Sequence, residues 1–341
     1  MLKSDKITIK DIALMAGVST AAVSYVINNK PGVNTLTRKK IQEIINETGF
    51  APNINSIRLA SGKSYNIHAV LDKDNPRPCK LYYMGVISHI VEDLSCYGYN
   101  LIVSYVSRDE TPAAVMDVIN KSDADGILFF QLVDEKLIEE IAEKGIPGLV
   151  VDNREIYDEL AHVSVDYSLA AYTATRYLIQ NGHRDIAYVG MKKHPYFCSQ
   201  TLDGYRRALS EADIDIREEY IIFGEFEDQS SNPELDRLLS LPVIPTAFFC
   251  VEDFYAVCVL HYIKSRGFKV PDDISMIALD DMILSEYTDP ALSTIRLSES
   301  ELSANAVRMI MDLVEGRESE NCVIKSDDLI IRDSVKNIRS V

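Results

Sequence analysis

Small and polar side chains recur along one side of a short predicted helix near the N-terminus. In the segment STAAVSYVIN the apolar positions face inward at helical spacing, and the outward positions are Ser19, Thr20, Ala21, Ser24, Tyr25 and Asn28. Hydroxyl and amide groups can hydrogen-bond to phosphates and base edges, and the second helix of a helix-turn-helix presents such groups at its N-terminal end. An ordinary amphipathic helix of a small bundle shows the same periodicity, so the pattern alone leaves both interpretations open.

Two aspartates stand where predicted strands end. Asp152 follows the run IPGLVV, and Asp280 follows the run SMIAL. In open α/β sheets, ligands bind outside the carboxyl ends of parallel strands, so either carboxylate could hydrogen-bond a small molecule there. Either could equally cap a loop.

The sequence shows no pattern typical of an enzyme or a metal site. It has no Ser/His/Asp or Cys/His ordering, no glycine-rich phosphate loop and no metal-ligand spacing. His183 follows a predicted helix C-terminus, where we expect a structural role. The six cysteines are scattered, so we expect reduced thiols. We therefore expect no catalytic residue, no metal and no cofactor.

Three short helices are predicted to position the polar face of STAAVSYVIN. Thr8 and Asp11 resemble a capping box at the start of the first helix, and Ser19 can cap the second. A third helix is predicted from about residue 35 to residue 47. It is expected to bury the apolar side chains of Leu36, Ile41, Ile44 and Ile45. Residues 52–64 are short and polar and are predicted to form a linker with some helix in it.

From residue 66 onward, apolar strand-like runs alternate with helical patterns. This alternation predicts βαβ units, and the number of runs exceeds the need of one modest sheet, which predicts two lobes. We place the first lobe at about 65–155 and 285–300, and the second at about 160–283 and 301–341. The predicted fold class is α/β, with an all-α helix-turn-helix head on residues 1–51 and a two-lobed core of doubly wound parallel sheets.

Charge is divided unevenly along the chain. Residues 1–65 contain nine Lys and Arg against four Asp and Glu, a net charge of +5, whereas the whole chain carries −17, which leaves −22 for the remainder. A small basic segment on a large acidic body is typical of a module that contacts phosphates. No apolar run approaches the roughly 20 residues of a membrane span, and the first ten residues have no apolar export segment, so we expect a cytoplasmic protein.

The N-terminal segment ITIKDIALMAGVSTAAVSYVINNKPGVNTLTRKKIQEIINETGFAPN resembles the head of the LacI/GalR family of bacterial transcriptional regulators. The resemblance continues in the same order through DGILFF, NGHRDIAYVG, DGYRRAL, PTAFFCVEDFYAV and VPDDISMIALDD, which are similar to the family's effector-binding core. It implies a periplasmic-binding-protein-like core and a homodimer whose paired heads bind two half-sites of a pseudo-palindromic operator. Phosphate contacts are then implied for Thr8, Ser19, Asn28 and Thr37. Base contacts are implied for Thr20, Ala21, Ser24 and Tyr25.

Tyr25 departs from the family pattern, which usually has Arg in this place. Arg can bond O6 and N7 of guanine together, whereas Tyr offers one hydroxyl and a ring face, so we predict an altered base preference. Residues 53–60 resemble the family's hinge helix, which orders on operator DNA and inserts a leucine into the minor groove. Leu59 is the matching leucine, Asn53 begins the segment, and Ser56 stands where Ala is common.

The resemblance also implies a small-molecule site between the lobes, and two positions of this chain depart from the sugar-binding pattern. Thr201 stands where the family usually has Arg, and Glu252 where it usually has Asn. With Asp152 and Asp280 at strand ends, the site is expected to be unusually acidic. It would disfavour an anionic effector and admit a neutral sugar or a cation. Phe226 could stack on a sugar ring or pack in the core.

We therefore expect a DNA-binding regulator, most simply a repressor, that binds its operator as a homodimer and responds to a small molecule, with a neutral sugar as the first expectation. The alternatives are a cytosolic solute-binding protein, or a regulator controlled by another protein without a small-molecule effector. The expected partners are double-stranded operator DNA, the effector and a second copy of the chain, without a membrane.

Overall fold

The computed structural model divides the chain into two compact units, Met1–Tyr65 and Asn66–Val341. Four sequence-predicted DNA contacts, Asn28, Asn53, Ser56 and Leu59, lie outside the residues that the structure describes, as does most of the linker. The described residues are 7–27, 30–50, 58, 61–74, 77–107, 110, 112–130, 135–153, 160–192, 195–228 and 230–339.

In the first unit, the structure gives the bounds of three helices over residues 7–27 and 30–50: α1 (Ile9–Ala16), α2 (Thr20–Ile27) and α3 (Thr35–Thr48). Gly17 ends α1 in the left-handed region at φ 71°, which a residue without Cβ adopts at little cost. Asn34 caps α3, because its Oδ1 accepts a hydrogen bond of 2.8 Å from the backbone N–H of Thr37. The helices pack on six buried side chains: Ile12, Ala13, Ala16, Val23, Val26 and Ile41.

Leu36 was expected to be buried, and this prediction was wrong, because its side chain is 83% exposed. Ile41 is fully buried, and Ile44 and Ile45 are half-buried on the same side of α3. Leu36 precedes Ile41 by five residues, about 140° around the helix axis at 100° per residue, and it therefore points away from the core. Its apolar character alone made it a core candidate.

The second unit is built on two six-stranded sheets. The first sheet, which defines the N-lobe, has the strand order β11-β5-β4-β3-β1-β2. Its strands are β1 (Asn66–Asp72), β2 (Asn100–Val106), β3 (Gly126–Phe130), β4 (Gly148–Val151), β5 (Ala161–Val165) and β11 (Cys322–Ile324). Its helices are α4 (Arg77–Cys96), α5 (Pro112–Ser122), α6 (Glu135–Glu143) and α11 (Glu299–Val314). All pairs in this sheet are parallel, as the βαβ alternation predicted.

The second sheet, which defines the C-lobe, has the order β12-β10-β9-β8-β6-β7. Its strands are β6 (Ile186–Met191), β7 (Ile221–Gly224), β8 (Ala247–Cys250), β9 (Ser275–Asp280), β10 (Ser293–Arg296) and β12 (Asp328–Ile330). Its helices are α7 (Tyr167–Gln180), α8 (Pro195–Glu211), α9 (Pro233–Leu239) and α10 (Asp253–Ser265), with short 3₁₀ turns at Glu218–Tyr220 and Ile283–Glu286. Only β12 runs antiparallel among these described strands.

The boundaries predicted for the two lobes were wrong in detail. Strand β5 pairs with β4 in the N-lobe, and β10 pairs with β9 in the C-lobe. Helix α11 covers the N-lobe sheet, since Ile310 and Val314 lie against Gly126 of β3. The chain crosses between the lobes after β5, after β10 and again between β11 and β12. An apolar run shows that a strand forms but does not show which of two sheets it joins.

Among the described residues, no single helix is long and apolar enough to cross a membrane. The pair α1 and α2 reaches the length and composition of a span only when the two are counted together, and they are bent by 106°.

Candidate functional site

Helix α2 presents a small polar face, which we call the reading face: Thr20, Ala21, Ser24 and Tyr25. Three of these side chains are exposed and Ser24 is half-buried, whereas Val23 and Val26 lie in the core. Ser19 caps the helix, since its Oγ accepts a hydrogen bond of 3.2 Å from the backbone N–H of Ala22. The inward and outward positions of α2 are therefore those that the sequence pattern predicted.

The ring of Tyr25 packs against the turn that follows α2. A Cβ added at Gly32 would lie 3.3 Å from two ring carbons of Tyr25, and Gly32 has φ 115°. The backbone carbonyl of Tyr25 accepts a hydrogen bond of 2.8 Å from the N–H of Lys30, whose own carbonyl accepts one of 2.5 Å from Arg38. The ring is still 44% exposed, so its position is restricted while part of it faces solvent.

Thr8 is exposed, but its donors are engaged within the chain. Its hydroxyl donates to Asp11 Oδ2 at 2.6 Å and its backbone N–H donates to the same oxygen at 2.8 Å. These hydrogen bonds lower the pKa of the Asp11 carboxyl. A phosphate contact through the Thr8 hydroxyl would require it to leave Asp11. Thr37, half-buried in the first turn of α3, donates its backbone N–H to Asn34.

Between the lobes, a buried carboxylate connects α4, β4 and α7. Asp152 follows β4 at φ 62° and accepts hydrogen bonds from Tyr83 at 2.7 Å and from Tyr167 at 2.6 and 2.7 Å. Tyr83 belongs to the N-lobe helix α4, whereas Tyr167 begins the C-lobe helix α7. The Asp152 side chain therefore joins the two lobes by charge-assisted hydrogen bonds.

The C-lobe contributes two further carboxylates at strand ends. Glu252 follows β8 and is 4% exposed, and neither of its carboxylate oxygens has a hydrogen-bond partner of ordinary geometry in the described part of the chain, although the backbone N–H of Tyr255 is near enough to lower its pKa. Asp280 ends β9 at φ 113°, and its Oδ2 is likewise buried without a partner there. Burial, followed by the charges of nearby carboxylates, raises the pKa of both groups well above the ordinary range.

Two N-lobe side chains complete the group of polar residues between the lobes. Tyr82 on α4 is 6% exposed, its hydroxyl has no partner among the described residues, and burial and then the charges of Asp152, Asp280 and Glu299 raise its pKa. Glu299 begins α11 and lies so close to α4 that a Cβ at Gly85 would overlap its carboxylate. We call Tyr82, Asp152, Glu252, Asp280 and Glu299 the cleft cluster.

Asp253, next to Glu252, has a different role. It is fully buried, and its carboxylate accepts hydrogen bonds from the backbone N–H of Met282 at 2.8 Å, from Ser285 at 2.6 Å and from Thr294 at 2.8 Å. Burial raises the pKa of Asp253 to about 7, although these hydrogen bonds act in the opposite direction and lower it. Asp253 therefore fastens the start of α10 to the segment after β9 and to β10.

Two predicted effector contacts lie within the C-lobe core instead of in the cleft cluster. Thr201 is fully buried in α8, where its hydroxyl donates to the carbonyl of Phe197 at 2.9 Å and contacts the Tyr188 hydroxyl at 2.9 Å. Phe226 is 1% exposed and packs edge-on against Tyr255 at 5.4 Å between ring centroids. Of the two uses suggested for Phe226, this geometry matches core packing.

Tyr82, Tyr83, Tyr167 and Glu299 were not anticipated. Tyr167 could have been suspected, because it follows the first crossover between lobes and begins a helix. The adjacent tyrosines of α4 carry no comparable signal, since a helical tyrosine is an ordinary core residue. No set of three or more metal-binding side chains is found in the described ranges.

Glu252→Gln is expected to raise the melting temperature of the ligand-free protein at pH 8. A carboxyl whose folded pKa is raised stays protonated longer in the folded state, so stability falls as pH rises from its ordinary pKa of 4.5 toward the folded value. Gln removes this penalty, which we put at about 1–2 kcal/mol, or a few degrees. Thermal unfolding across pH 5–8 should show the gain shrinking toward pH 5.

Glu218→Gln is the matched control for that experiment, because Glu218 lies on the C-lobe surface and pairs with the exposed Arg206 at 3.0 Å. It should leave the melting temperature within about a degree at every pH. An equal gain from both variants, or a loss from Glu252→Gln at pH 8, would show that buried charge at Glu252 does not weaken the fold.

Comparison with known proteins gives a family match for both units. Residues 8–53 match the family model described as bacterial regulatory proteins, lacI family, and residues 175–335 match a periplasmic binding protein-like domain. A probable HTH-type transcriptional repressor ExuR from Bacillus subtilis is 32% identical over 97% of this chain and 99% of its own length. That relative and the others found with it are named as repressors or control proteins rather than as enzymes.

Two solved structures share the fold across nearly the whole chain. The lac repressor dimer bound to operator and the anti-inducer ONPF has a TM-score of 0.77 at 21% identity and covers 97% of this chain and 100% of its own. The complex of the transcriptional regulator CelR with cellobiose has a TM-score of 0.71 at 23% identity and covers 96% and 99%. At these identities the likeness supports the helical head and the two-lobed core.

Proposed function

The chain belongs to the lacI family of bacterial regulatory proteins, and on that premise we propose that it represses transcription by binding a pseudo-palindromic operator as a homodimer. The observation that carries the proposal is the reading face of α2, held outward by a self-contained helical core and belonging to a segment of net charge +5. Phosphate neutralisation supplies most of the affinity of such a module, and the few exposed side chains of α2 supply its selectivity. A protein that binds operator DNA acts in the cytoplasm of a bacterium, so we propose that location for this protein.

Exposed apolar residues of the second unit support pairing with a second copy. On the N-lobe, Met84 and Val91 lie two turns apart on α4, and Tyr105 lies on the edge strand β2. On the C-lobe, Ile283 and Tyr287 are 70% and 80% exposed. Exposed apolar side chains are enriched where a protein surface meets a partner. A two-fold dimer would bury them and would place two heads on the two half-sites of one operator.

We further propose that a small sugar-like molecule binds at the cleft cluster and sets operator affinity. The hydrogen bonds from Tyr167 to Asp152 join the lobes here, so a ligand that prefers one lobe arrangement would shift the balance between arrangements. One protein of the same fold is bound to cellobiose. The acidic cleft disfavours anionic compounds.

A gel shift tests the function. DNA from the region upstream of the protein's own gene should be bound at least about a hundredfold more tightly than unrelated DNA of equal length, as specific binding requires. Equal affinity for both would favour a solute-binding protein whose head does not read sequence.

Tyr25→Arg is expected to change the base preference of the operator at one position in each half-site. Arg offers two parallel donors to guanine, worth about 1–3 kcal/mol of discrimination, whereas the Tyr25 hydroxyl offers one. Fluorescence anisotropy with operator duplexes that differ at that base pair should show a gain for guanine in the variant. Unchanged relative affinities would mean that residue 25 does not contact a base. Leu36→Gln, on α3, serves as the control and should leave the preferences as they are.

A further inference from the structure

Several carboxylate oxygens of the cleft cluster accept no hydrogen bond from the described residues. In the described part of the molecule, Glu252 Oε1, Glu252 Oε2 and Asp280 Oδ2 are all buried without a partner. Buried polar atoms of this kind are uncommon in folded proteins, because burial without a hydrogen bond leaves the loss of hydration uncompensated. Three of them together, at the carboxyl ends of β8 and β9, indicate atoms that are satisfied by something other than the protein.

The arginines near this end of the C-lobe sheet pair with a different carboxylate. Arg332 contacts Asp281 Oδ1 at 2.6 Å and Arg296 contacts Asp281 Oδ2 at 2.8 Å. Asp280, the preceding residue, receives neither, and no Lys or Arg forms an ion pair with Glu252 or Asp280 in the described ranges. The charges that act on these two carboxyls come from other acids, namely Asp253, Glu227 and Glu299. Burial raises the pKa of Glu299, and His89 on the neighbouring α4 lowers it.

A second observation comes from the opposite lobe. The Tyr82 hydroxyl, 6% exposed and without a partner among the described residues, is close enough to Asp152, Asp280 and Glu299 for their charges to raise its pKa. It stays a neutral phenol at physiological pH, so it can accept one hydrogen bond and donate another. Asp152 differs from Glu252 and Asp280, because it already accepts hydrogen bonds from two tyrosines.

A metal ion does not match this arrangement. No group of three or more metal-binding side chains is found among the described residues, and the unpartnered atoms of the cluster belong to two carboxylates and one phenol, which do not make a closed oxygen shell. An ammonium group does match, because it has three donors and one positive charge and can bond both carboxylates and a phenol oxygen. Pairing with such a group would also offset the cost of burying the carboxylates.

We propose that the effector is an organic amine whose protonated nitrogen binds between Glu252 and Asp280 and donates a hydrogen bond to the hydroxyl oxygen of Tyr82. The inference rests on the function proposed above, because it assigns the chemical class of the effector to the same cleft. The remainder of the molecule can be hydroxylated, as in an amino sugar. The amine replaces the neutral sugar as the expected effector.

Thermal stability of the full-length protein tests the proposal with matched probes. Glucosamine, galactosamine and mannosamine would each be titrated beside their N-acetyl derivatives, with putrescine, spermidine, glucose 6-phosphate and magnesium chloride in parallel. At least one amine should raise the melting temperature in a saturable way, and its acetylated counterpart should not. Stabilisation by an acetylated sugar, by the sugar phosphate or by magnesium alone would overturn the proposal, as would the absence of any response to the amines.

Substitutions connect the response to the cluster. Glu252→Gln and Asp280→Asn should each weaken amine binding at least about tenfold, and Tyr82→Phe should weaken it with little change in the ligand-free melting temperature. Glu218→Gln, on the surface of the same lobe, should bind the amine as the unaltered protein does. Equal binding by all four variants would place the amine elsewhere and would overturn the proposal.

Proton release gives an independent readout. Because burial and neighbouring acids raise the pKa of Glu252 and Asp280, these groups hold protons that a bound cation would displace. Calorimetry at one pH in two buffers of different ionisation enthalpy should therefore show release on amine binding, and uptake would contradict the proposal. If no amine binds while the gel shift still shows a specific complex, this inference fails and the proposed DNA-binding function stands.

Discussion

Ile41→Asp is expected to lower operator affinity at least about a hundredfold, because it should unfold the first unit. Ile41 is fully buried on α3 and belongs to a small core with six buried side chains among the described residues. Burying a carboxylate among them costs several kcal/mol, which is comparable to the whole stability of a domain of this size. Anisotropy titration of operator DNA and far-UV circular dichroism would follow binding and helix content together.

Leu36→Asp and Leu36→Gln, on the same helix, are the controls for Ile41→Asp. Leu36 is 83% exposed, so either change should leave the helix content intact, and the neutral Gln should keep affinity within about threefold. The melting transition of the second unit should be unchanged in all three variants, since the two units are compact separately. Intact helix content in Ile41→Asp would show that the head does not depend on this core.

Asp253→Ala is expected to destabilise the second unit by about 3–5 kcal/mol. The substitution leaves the N–H of Met282 and the hydroxyls of Ser285 and Thr294 without the acceptor that holds them at 2.6–2.8 Å. Urea unfolding followed by circular dichroism would measure the loss. Asp272→Ala removes an exposed carboxylate that pairs with Lys336 at 2.9 Å, and should leave the urea midpoint nearly unchanged.

The pH dependence of Asp253→Ala gives a second measurement. The folded pKa of Asp253 is about 7 and its ordinary value is 3.8, so the folded state retains a proton that the unfolded state loses between those values. Its contribution to stability is therefore present at low pH and declines as pH rises from about 4 to about 7. The variant should lack this decline. A steeper decline in the variant, or a loss of stability no larger than that of Asp272→Ala, would contradict the role given to Asp253.

The structure of the helical head could be predicted from the sequence, because it depends mainly on contacts between residues that are near one another in the chain. Capping by Ser19, the turn at Gly17 and the inward face of α2 follow from helical spacing and local hydrogen bonds. The prediction that Leu36 is buried was wrong. Leu36 lies in the first turn of α3, and a single apolar residue there does not show which side of the helix faces the core. Strands β5 and β10 were assigned to the wrong lobes for a related reason: sheet membership depends on partners far along the chain.

The strand-end positions of the candidate site could be predicted, whereas its role in binding an effector stays a prediction. Asp152 follows β4 of the N-lobe sheet, and Glu252 and Asp280 lie at the ends of the neighbouring C-lobe strands β8 and β9, because parallel strands of one sheet end on the same edge. Thr201 was chosen from the family's pattern and Phe226 for its aromatic ring, and both are buried in the C-lobe. The role proposed for Tyr82 rests on a buried hydroxyl that has no hydrogen-bond partner among the described residues. This property depends on the assembled fold, so the local sequence pattern could not predict it. Sites that bind ligands often lower stability in this way.

Operator binding by a dimer can be tested by selecting binding sites from a random duplex library with the purified full-length protein. We expect enrichment of a single pseudo-palindromic site whose half-sites lie about one helical turn apart, each occupied by one head of a dimer. Recovery of no enriched sequence, or of a solitary asymmetric half-site bound by one chain, would contradict it.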